Sequence, residues 1–450
     1  MDTTGSNSSA STSEPGGRGR QLAIGVPVGA ETDPALPQLV SSLLDRVAYA
    51  GADPLRSNGE PPERPAPEPG LCCTVIVARP TLGGEAGPIK PGGHERLIER
   101  QYSPKTQDGL ELPYHGQVGR ARAIHAILTE AQSTGADGCI IVDPRTVGSL
   151  AWLDDVQRAL AQQELDFVGG VYSRHPFGSG LVHGVLAPLF AASYGVRLQY
   201  PVTPQFGCSS RFIASVLDHP FWDTAEAQVG IEWWLAATAA SGGFQIGEAA
   251  GGVIRDGRPL VDLSTLTAQL VGFAFTDLER QARLWQRARA SKAPVAIGDP
   301  VTLDPAPHVD AVALAEAFRS AYRDLREVWE EVMPPLSMLQ WRRLTTVSQD
   351  AFAVNDAVWA RTLYDFAMGH RLRVIPRADL LHSLTPLYLA WLASFVLEMD
   401  GTPPAAVQAR LERLRAAFET EKPYFVSQWR WPERFKPVKL RRQPDRSRAS

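Results

Sequence analysis

Cysteine is scarce in this chain, with four in 450 residues (Cys72, Cys73, Cys139 and Cys208), scattered and mostly inside apolar runs. That excludes a disulfide framework: thiols in such runs behave as small buried hydrophobes, and a reduced, cytoplasmic setting is expected. Long apolar runs are also missing. The nearest approach to the roughly 20 residues that a bilayer span requires is Leu384 to Met399, interrupted near its start by Pro386, so no transmembrane segment is expected. Met1 to Arg20 is rich in Ser, Thr and Gly, lacks the apolar core of a signal peptide, and reads as a disordered tail. Charge of one sign is missing as well; a net charge of −4 gives no reason to expect a nucleic-acid partner. The hydrophobic fraction of 44% and charged fraction of 21% are those of an ordinary soluble globular protein, and the length allows two or three domains.

What is present begins as alternating strands and helices. Leu22 to Val28 is a short apolar run bounded by turn residues, as for a buried strand. Asp33-Pro34 then supplies an N-cap and an N1 proline to a helix carrying Leu36, Leu39, Val40, Leu43, Leu44 and Val47 at helical spacing. A Pro/Glu/Gly-rich insertion at 51–70 separates this unit from a second strand, Cys72 to Ala78. A helix from about Arg120 to Gln132 leads into Gly138–Asp143, a buried strand with an acid at its end. A helix around Trp152–Gln163 precedes the strand Phe167–Val171. This pattern predicts a mostly parallel α/β sheet covered on both faces, with ligands at the carboxyl ends of its strands, near Pro27, Arg79 and Asp143. From about 262 the strand signal disappears, the Pro-rich stretch 293–307 reads as a linker, and amphipathic helices fit 311–332, 356–370, 385–399 and 404–419.

Two features bear on chemistry. Pro113-Tyr114-His115-Gly116-Gln117-Val118-Gly119-Arg120-Ala121-Arg122-Ala123 is a glycine-containing turn that opens a helix. Such turns present backbone N–H groups to an anion, and Arg120 and Arg122 add charge suited to a diphosphate. The ordinary alternative is a glycine-bearing connection with solvated arginines. Asp143, just after a buried strand, suits a divalent metal, a ribose hydroxyl or a cap on the next turn.

Together these segments resemble the retaining GT-A glycosyltransferases related to mannosylglycerate and glucosylglycerate synthases, a family 2-like group, over residues 22 to 430. The turn is similar to the family's Pro-Tyr-His-Gly-x-x-Gly-Lys-Gly-x-Ala segment. Asp166-Phe167-Val168, Arg174-His175, Pro188-Leu189 and Tyr194-Gly195 match the run that follows, and Val229-Gly230-Ile231-Glu232-Trp233-Trp234 resembles a Phe-Gly-Ile-Asp-x-Trp helix. Trp359, Tyr364-Asp365-Phe366 and Leu384 to Tyr388 are similar to the family's helical extension. The resemblance implies a GT-A mixed sheet over 21–292 and a helical domain over 300–430, and composition marks 431–450 as a basic tail. It implies transfer of a glucosyl or mannosyl group from a nucleotide-diphosphate sugar to a small hydroxy acid such as glycerate, with a divalent metal (Mg or Mn) bridging the diphosphate. Pro27 and Arg79 would flank the nucleotide, Gly116, Gly119, Arg120 and Arg122 the phosphates, and Glu232 the sugar or acceptor. Arg174 and His175 would also face the donor. The apolar helical extension would suit a homodimer.

The match breaks at the family's acids. Its Asp-x-Asp motif reads Asp143-Pro144-Arg145, its Gly-x-x-His-Asp segment reads Gly252-Val253-Ile254-Arg255-Asp256, and its Gly-Gly-Asp-Phe-Gly loop reads Thr203-Pro204-Gln205-Phe206-Gly207. The acid expected after the second strand is Arg79. Metal binding at Asp143 is therefore in doubt. In one reading Arg145 and Arg255 supply the charge of the missing ion, giving a metal-independent transferase with Glu232, Gln205 and Arg145 in catalysis. In the other the site has decayed and the chain is an inactive sugar-nucleotide-binding or scaffold protein. Unpaired arginines in a pocket are costly, which favours an anionic ligand in both.

His115, His175 and His183 fit no zinc spacing and read as packing or hydrogen-bonding residues, His175 being the best placed for phosphate or sugar. Trp233 and Trp234 suit either a sugar or the core, with core expected for one of them. Arg430 to Arg448 holds eight Lys/Arg against two Asp/Glu, with Trp429, Trp431 and Phe435 at its start. That composition fits an anionic lipid or nucleic-acid contact, or simply a solvated end.

Overall fold

The computed structural model describes residues 20–29, 35–50, 72–81, 95–104, 119–148, 150–254 and 262–433. Strands β1 (Gln21–Pro27), β2 (Cys72–Pro80), β3 (Leu97–Tyr102), β4 (Gly138–Ile141), β6 (Phe167–Val171), β7 (Phe206–Ser209), β8 (Ile246–Ala250) and β10 (Val295–Ile297) make one sheet in the order β10-β8-β6-β7-β4-β1-β2-β3. A separate ribbon pairs β5 (Thr146–Val147) with β9 (Val253–Ile254). All pairings in the large sheet are parallel except those of β7, which runs antiparallel between β4 and β6.

Alternation along the strands sorts side chains onto two faces. Leu22, Ile24, Val26, Val75, Val77, Ile140 and Val142 join the core under α1 (Leu36–Ala50) and α3 (Trp152–Gln162). Ala23, Ile76, Ala78, Cys139 and Ile141 face the other core, which holds Ile124, Ile127 and Leu128 of α2 (Arg120–Ser133). That second core continues through α4 (Ala187–Tyr194), α5 (Ser210–Val216), α6 (Ala227–Ser241), α7 (Leu263–Arg280) and α8 (Ala282–Trp285). It runs on without a break into α9 (Ala311–Val332), α10 (Pro335–Leu344), α11 (Asp356–Leu372), α12 (Arg377–Met399) and α13 (Pro404–Arg430).

The expected α/β class with a C-terminal helical region is therefore observed, with three corrections. The strand signal does not end at 262: Val295–Ile297, inside the Pro-rich stretch, pairs with β8 as an edge strand. The stretch is also tied to the sheet where Asp304 N donates to the Ser173 carbonyl at 2.6 Å. The last helix runs past 419 to Arg430, because Phe425 and Trp429 stay buried on its inner face. Among the described residues, α12 is long and apolar enough to cross a membrane, yet 78% of its apolar window is buried inside the protein. It packs between α9 and α7 as a core helix.

Candidate functional site

Chain direction gathers the site. α2 leads into β4 and α6 leads into β8, so both helices begin at the carboxyl edge of the parallel strands. β7 runs the opposite way, so its entrance reaches the same edge: Phe206 pairs with both Ile141 and Gly169. Four otherwise distant segments therefore meet there, at 119–120, 143–146, 203–205 and 230–232.

Gly119 caps α2 in the left-handed region with φ of 82°. A Cβ there would stand 2.7 Å from the Tyr102 ring and 3.2 Å from Pro104, so both the conformation and the space call for glycine. The next residue, Arg120, points inward and is 2% exposed. Its Nε donates to Glu232 Oε1 at 2.6 Å, its Nη2 to the Pro204 carbonyl at 2.6 Å, and its Nη1 lies 3.5 Å from Asp143 Oδ2. Asp143 is fully buried. Arg145 grips it in a fork, Nε to Oδ1 at 2.8 Å and Nη2 to Oδ2 at 2.9 Å, while the Arg145 backbone N–H also donates to Oδ1 at 2.9 Å. Arg145 retains 20% side-chain exposure, against 2% for Arg120.

Glu232 lies two residues past a kink in α6 at Gly230. A Cβ at Gly230 would overlap the Phe273 ring at 2.3 Å, so this glycine lets α7 press against α6 and sets the direction of the following turn. Burial raises the Glu232 carboxyl above its ordinary range, with the Arg120 charge and hydrogen bond pulling against it.

Beside these charges runs a neutral chain. Gln205 Nε2 donates to Thr146 Oγ1, Thr203 Oγ1 donates to the Gln205 carbonyl at 2.7 Å, and Tyr172 Oη meets Thr203 Oγ1 at 2.9 Å. Gln205 Oε1 is buried and has no hydrogen-bond donor among the described residues. Burial pushes the Tyr172 phenol up, and Asp143 adds to the rise.

The predicted residues thus divide. Glu232, Gln205, Arg145, Arg120 and Asp143 come together, with Gly119 at their edge. Pro27 ends β1 at the same strand edge, where the next residue, Val28, donates its N–H to the Ala78 carbonyl at 2.9 Å. Arg79 is the penultimate residue of β2 and reaches Glu99 Oε2 of β3 at 3.6 Å. Gly116, His115 and Arg255 lie outside the described residues, though the β5–β9 ribbon brings Ile254 opposite Thr146. Arg174 and His175 lie on the loop leaving β6. Arg174 is exposed, whereas His175 is buried and uses Nδ1 to accept from Phe177 N at 3.2 Å. Burial lowers the His175 imidazolium below its usual range.

Several expectations need correction. Arg122 does not share the direction of Arg120, since residues two apart on a helix point to different sides; it pairs with Asp223 of the turn Pro220–Asp223. Trp233 and Trp234 are both core: Trp233 Nε1 donates to buried Asp277 Oδ2 at 2.9 Å, and Trp234 stacks on Phe221 at 4.7 Å. Arg120 and Arg145 are not unpaired, because Asp143 and Glu232 meet them, so their cost is no longer an argument for an anionic ligand. A divalent metal at Asp143 does not fit the residues present. Both its oxygens are held by guanidinium groups, and no group of three acids, histidines or cysteines suited to an ion occurs among the described residues.

No protein-family model matches the chain, and no curated protein matches it. Solved structures with a resemblance include glucosyl-3-phosphoglycerate synthase from Mycobacterium tuberculosis, in complex with Mn2+, UDP and phosphoglyceric acid. It is 18% identical, with 57% of this chain and 78% of that chain covered and a TM-score of 0.37. Mannosyl-3-phosphoglycerate synthase from Rubrobacter xylanophilus is 15% identical over 59% of this chain and 76% of that chain, at a TM-score of 0.34. Similarity at this level is too slight to carry an argument about chemistry, which rests on the side chains themselves.

Proposed function

We propose that the chain is a GT-A-like glycosyltransferase that moves a glucosyl or mannosyl group from a nucleotide-diphosphate sugar to a small hydroxy-acid acceptor such as glycerate, with retention and without a metal ion. The observation that carries this reading is the Arg120–Asp143–Arg145–Glu232 cluster at the carboxyl edge of the sheet, with its cations graded by exposure. Arg145 is the partly exposed cation, and a guanidinium fork that grips a carboxylate grips a diphosphate in the same bidentate way. On donor entry its fork passes from Asp143 to the phosphate oxygens and neutralises charge on the departing nucleotide. Arg120 stays behind to hold Asp143 and Glu232. Gln205 Oε1, a buried acceptor without a donor, is suited to a sugar hydroxyl. Glu232 would orient the sugar or the acceptor. Cys73, Cys139 and Cys208 are free and buried, in keeping with a cytoplasmic setting. The helical region remains our candidate for a homodimer contact.

One observation favours a second reading. Two guanidiniums face two carboxylates, so the cluster is satisfied by its own ion pairs and persists without any ligand. A non-catalytic binding or scaffold protein would keep the same arrangement. Calorimetric titration with UDP-, GDP- and ADP-glucose and GDP-mannose, each with magnesium and with EDTA, separates a donor-binding site from a scaffold that binds none, and release of nucleoside diphosphate in the presence of glycerate separates transfer from binding alone. Transfer predicts binding that survives EDTA and is lost in Arg145→Ala. No binding of any donor under either condition refutes the transferase reading.

A further inference from the structure

A second cationic feature lies where α8 meets the end of α13. Arg283 and Arg287 project from the α8 turn and Arg430 from the last turn of α13, all three exposed. With Ala282 and Gln286 they line a cavity of 230 Å³. Arg430 Nε donates to Gln286 Oε1 at 2.9 Å, which fixes one wall. The floor is rigid: Trp285 is fully buried, stacks on Phe425 at 4.5 Å and meets Trp429 edge-on at 5.1 Å. Arg371 lies over the Trp429 ring at 4.1 Å and donates to the Trp429 carbonyl at 2.7 Å. Of the acids on the neighbouring helices, Glu226 pairs with Arg280 and Glu419 accepts from Ser291, while Glu433 is the acid closest in sequence to Arg430.

Two exposed apolar side chains adjoin these arginines in sequence, Leu284 beside Arg283 at 43% exposure and Trp431 beside Arg430 at 70%. The sequence after Glu433 adds Phe435 and seven Lys/Arg against one Asp. Arginines around an open hollow, with an exposed indole and a leucine next to them in sequence, have the composition of an interfacial membrane contact. Guanidiniums meet the lipid phosphates while the indole settles at headgroup depth. A nucleic-acid groove has no use for the leucine.

We propose that this face docks on an anionic phospholipid surface through Arg283, Arg287, Arg430 and Trp431. The proposal is independent of sugar transfer and holds equally for the second functional reading. The test is flotation of the full chain with phosphatidylcholine vesicles, with and without phosphatidylserine. Binding is expected to the mixed vesicles alone and to weaken with salt. Substitution of Arg283, Arg287 and Arg430 together by Ala is expected to weaken it about five-fold per arginine, on the order of a hundred-fold in all, with the melting temperature unchanged. A chain truncated after Glu433 is expected to bind more weakly but measurably. Equal binding by the triple variant and the parent overturns the proposal, as does complete loss on truncation. Saturable binding of inorganic phosphate or of an oligonucleotide without vesicle binding also overturns it and identifies a different ligand.

Discussion

Replacing Arg120 by Met is the sharpest test of how the site is held together. The substitution keeps the apolar stem and removes a guanidinium that is 2% exposed and joined to Glu232, to the Pro204 carbonyl and to Asp143. Breaking a buried ion pair by deleting one partner costs about 3–5 kcal/mol, because the surviving charge stays desolvated and unpaired. Unfolding entropy of about 2 cal/mol/K per residue gives a chain this size roughly 1 kcal/mol per degree, so the melting midpoint should fall by about 3–5 °C. The sign of the pH dependence follows from Glu232. Burial already raises its carboxyl and Arg120 opposes that rise. Without Arg120 the folded variant takes up a proton at a pH where the unfolded chain does not, and so gains stability as pH falls. Urea unfolding at several pH values should therefore show the deficit shrinking on acidification. Adding Glu232→Gln should recover part of it, since Asp143 keeps Arg145. A loss below about 1 kcal/mol, or a double variant no more stable than the single one, would refute the claim that Arg120 pairs these carboxylates.

Two further predictions concern the packing around the sheet and helices. Burial pushes Glu248 up to about 7 from 4.5, while it drives His183 down to about 3 from 6.5, with Arg415 and His175 adding to the depression of His183. The raised carboxyl loses stability as pH climbs from 4.5 to about 7, and the lowered imidazole loses stability as pH falls below 6.5, so the two oppose each other in between. Glu248→Gln should expose the acid loss, and His183→Phe should expose a gain on acidification of up to about 3 kcal/mol; flat profiles in both would show that neither group titrates this way. Gly184→Ala would put a Cβ at 2.1–2.2 Å from the Trp391 ring. It should destabilise by about 3 kcal/mol. Gly243→Ala, at φ of +73° with nothing within 4 Å, should cost only about 1 kcal/mol of backbone strain. Equal midpoints for the two variants would contradict the packing at Trp391.

The strands that read clearly from sequence were those with apolar runs bounded by turns, β1, β2, β4 and β6. The missed ones carry other signals. β3 is a polar edge strand, Leu-Ile-Glu-Arg-Gln-Tyr, with only Tyr102 fully buried, and β10 is three residues inside a Pro-rich stretch. β7 and β8 are short and contain Gly, Ser and Ala, which carry little periodicity. At the site, Asp143, Arg145, Arg120, Gln205 and Glu232 were legible as positions where a family pattern is kept or broken. Their pairing was not, because Arg120 and Glu232 are 112 residues apart and meet only through the common start of α2 and α6 at one sheet edge. Thr146, Tyr172 and Thr203 were missed for the same reason: their roles arise from the antiparallel entry of β7 beside β4 and β6.

Magnitudes decide which cation gives way to a ligand. Arg120 has three bonds and almost no solvent contact, so freeing it carries the full cost of a broken buried pair, about 3–5 kcal/mol. Arg145 is partly exposed, and releasing its side-chain fork costs on the order of 1–3 kcal/mol for each charge-assisted hydrogen bond, which a phosphate oxygen returns in kind. Asp143 would still accept the Arg145 backbone N–H and keep Arg120 at 3.5 Å, so the carboxylate is never left bare. The same bookkeeping accounts for an arginine at 145 beside a buried acid. Arg120 alone would leave one carboxylate of the pair Asp143 and Glu232 in excess, whereas Arg145 balances the charge from within the chain. On the proposed function an anion would enter by displacing Arg145, and a variant that pins Arg145 to Asp143 more tightly should then weaken donor binding even though both guanidiniums are retained.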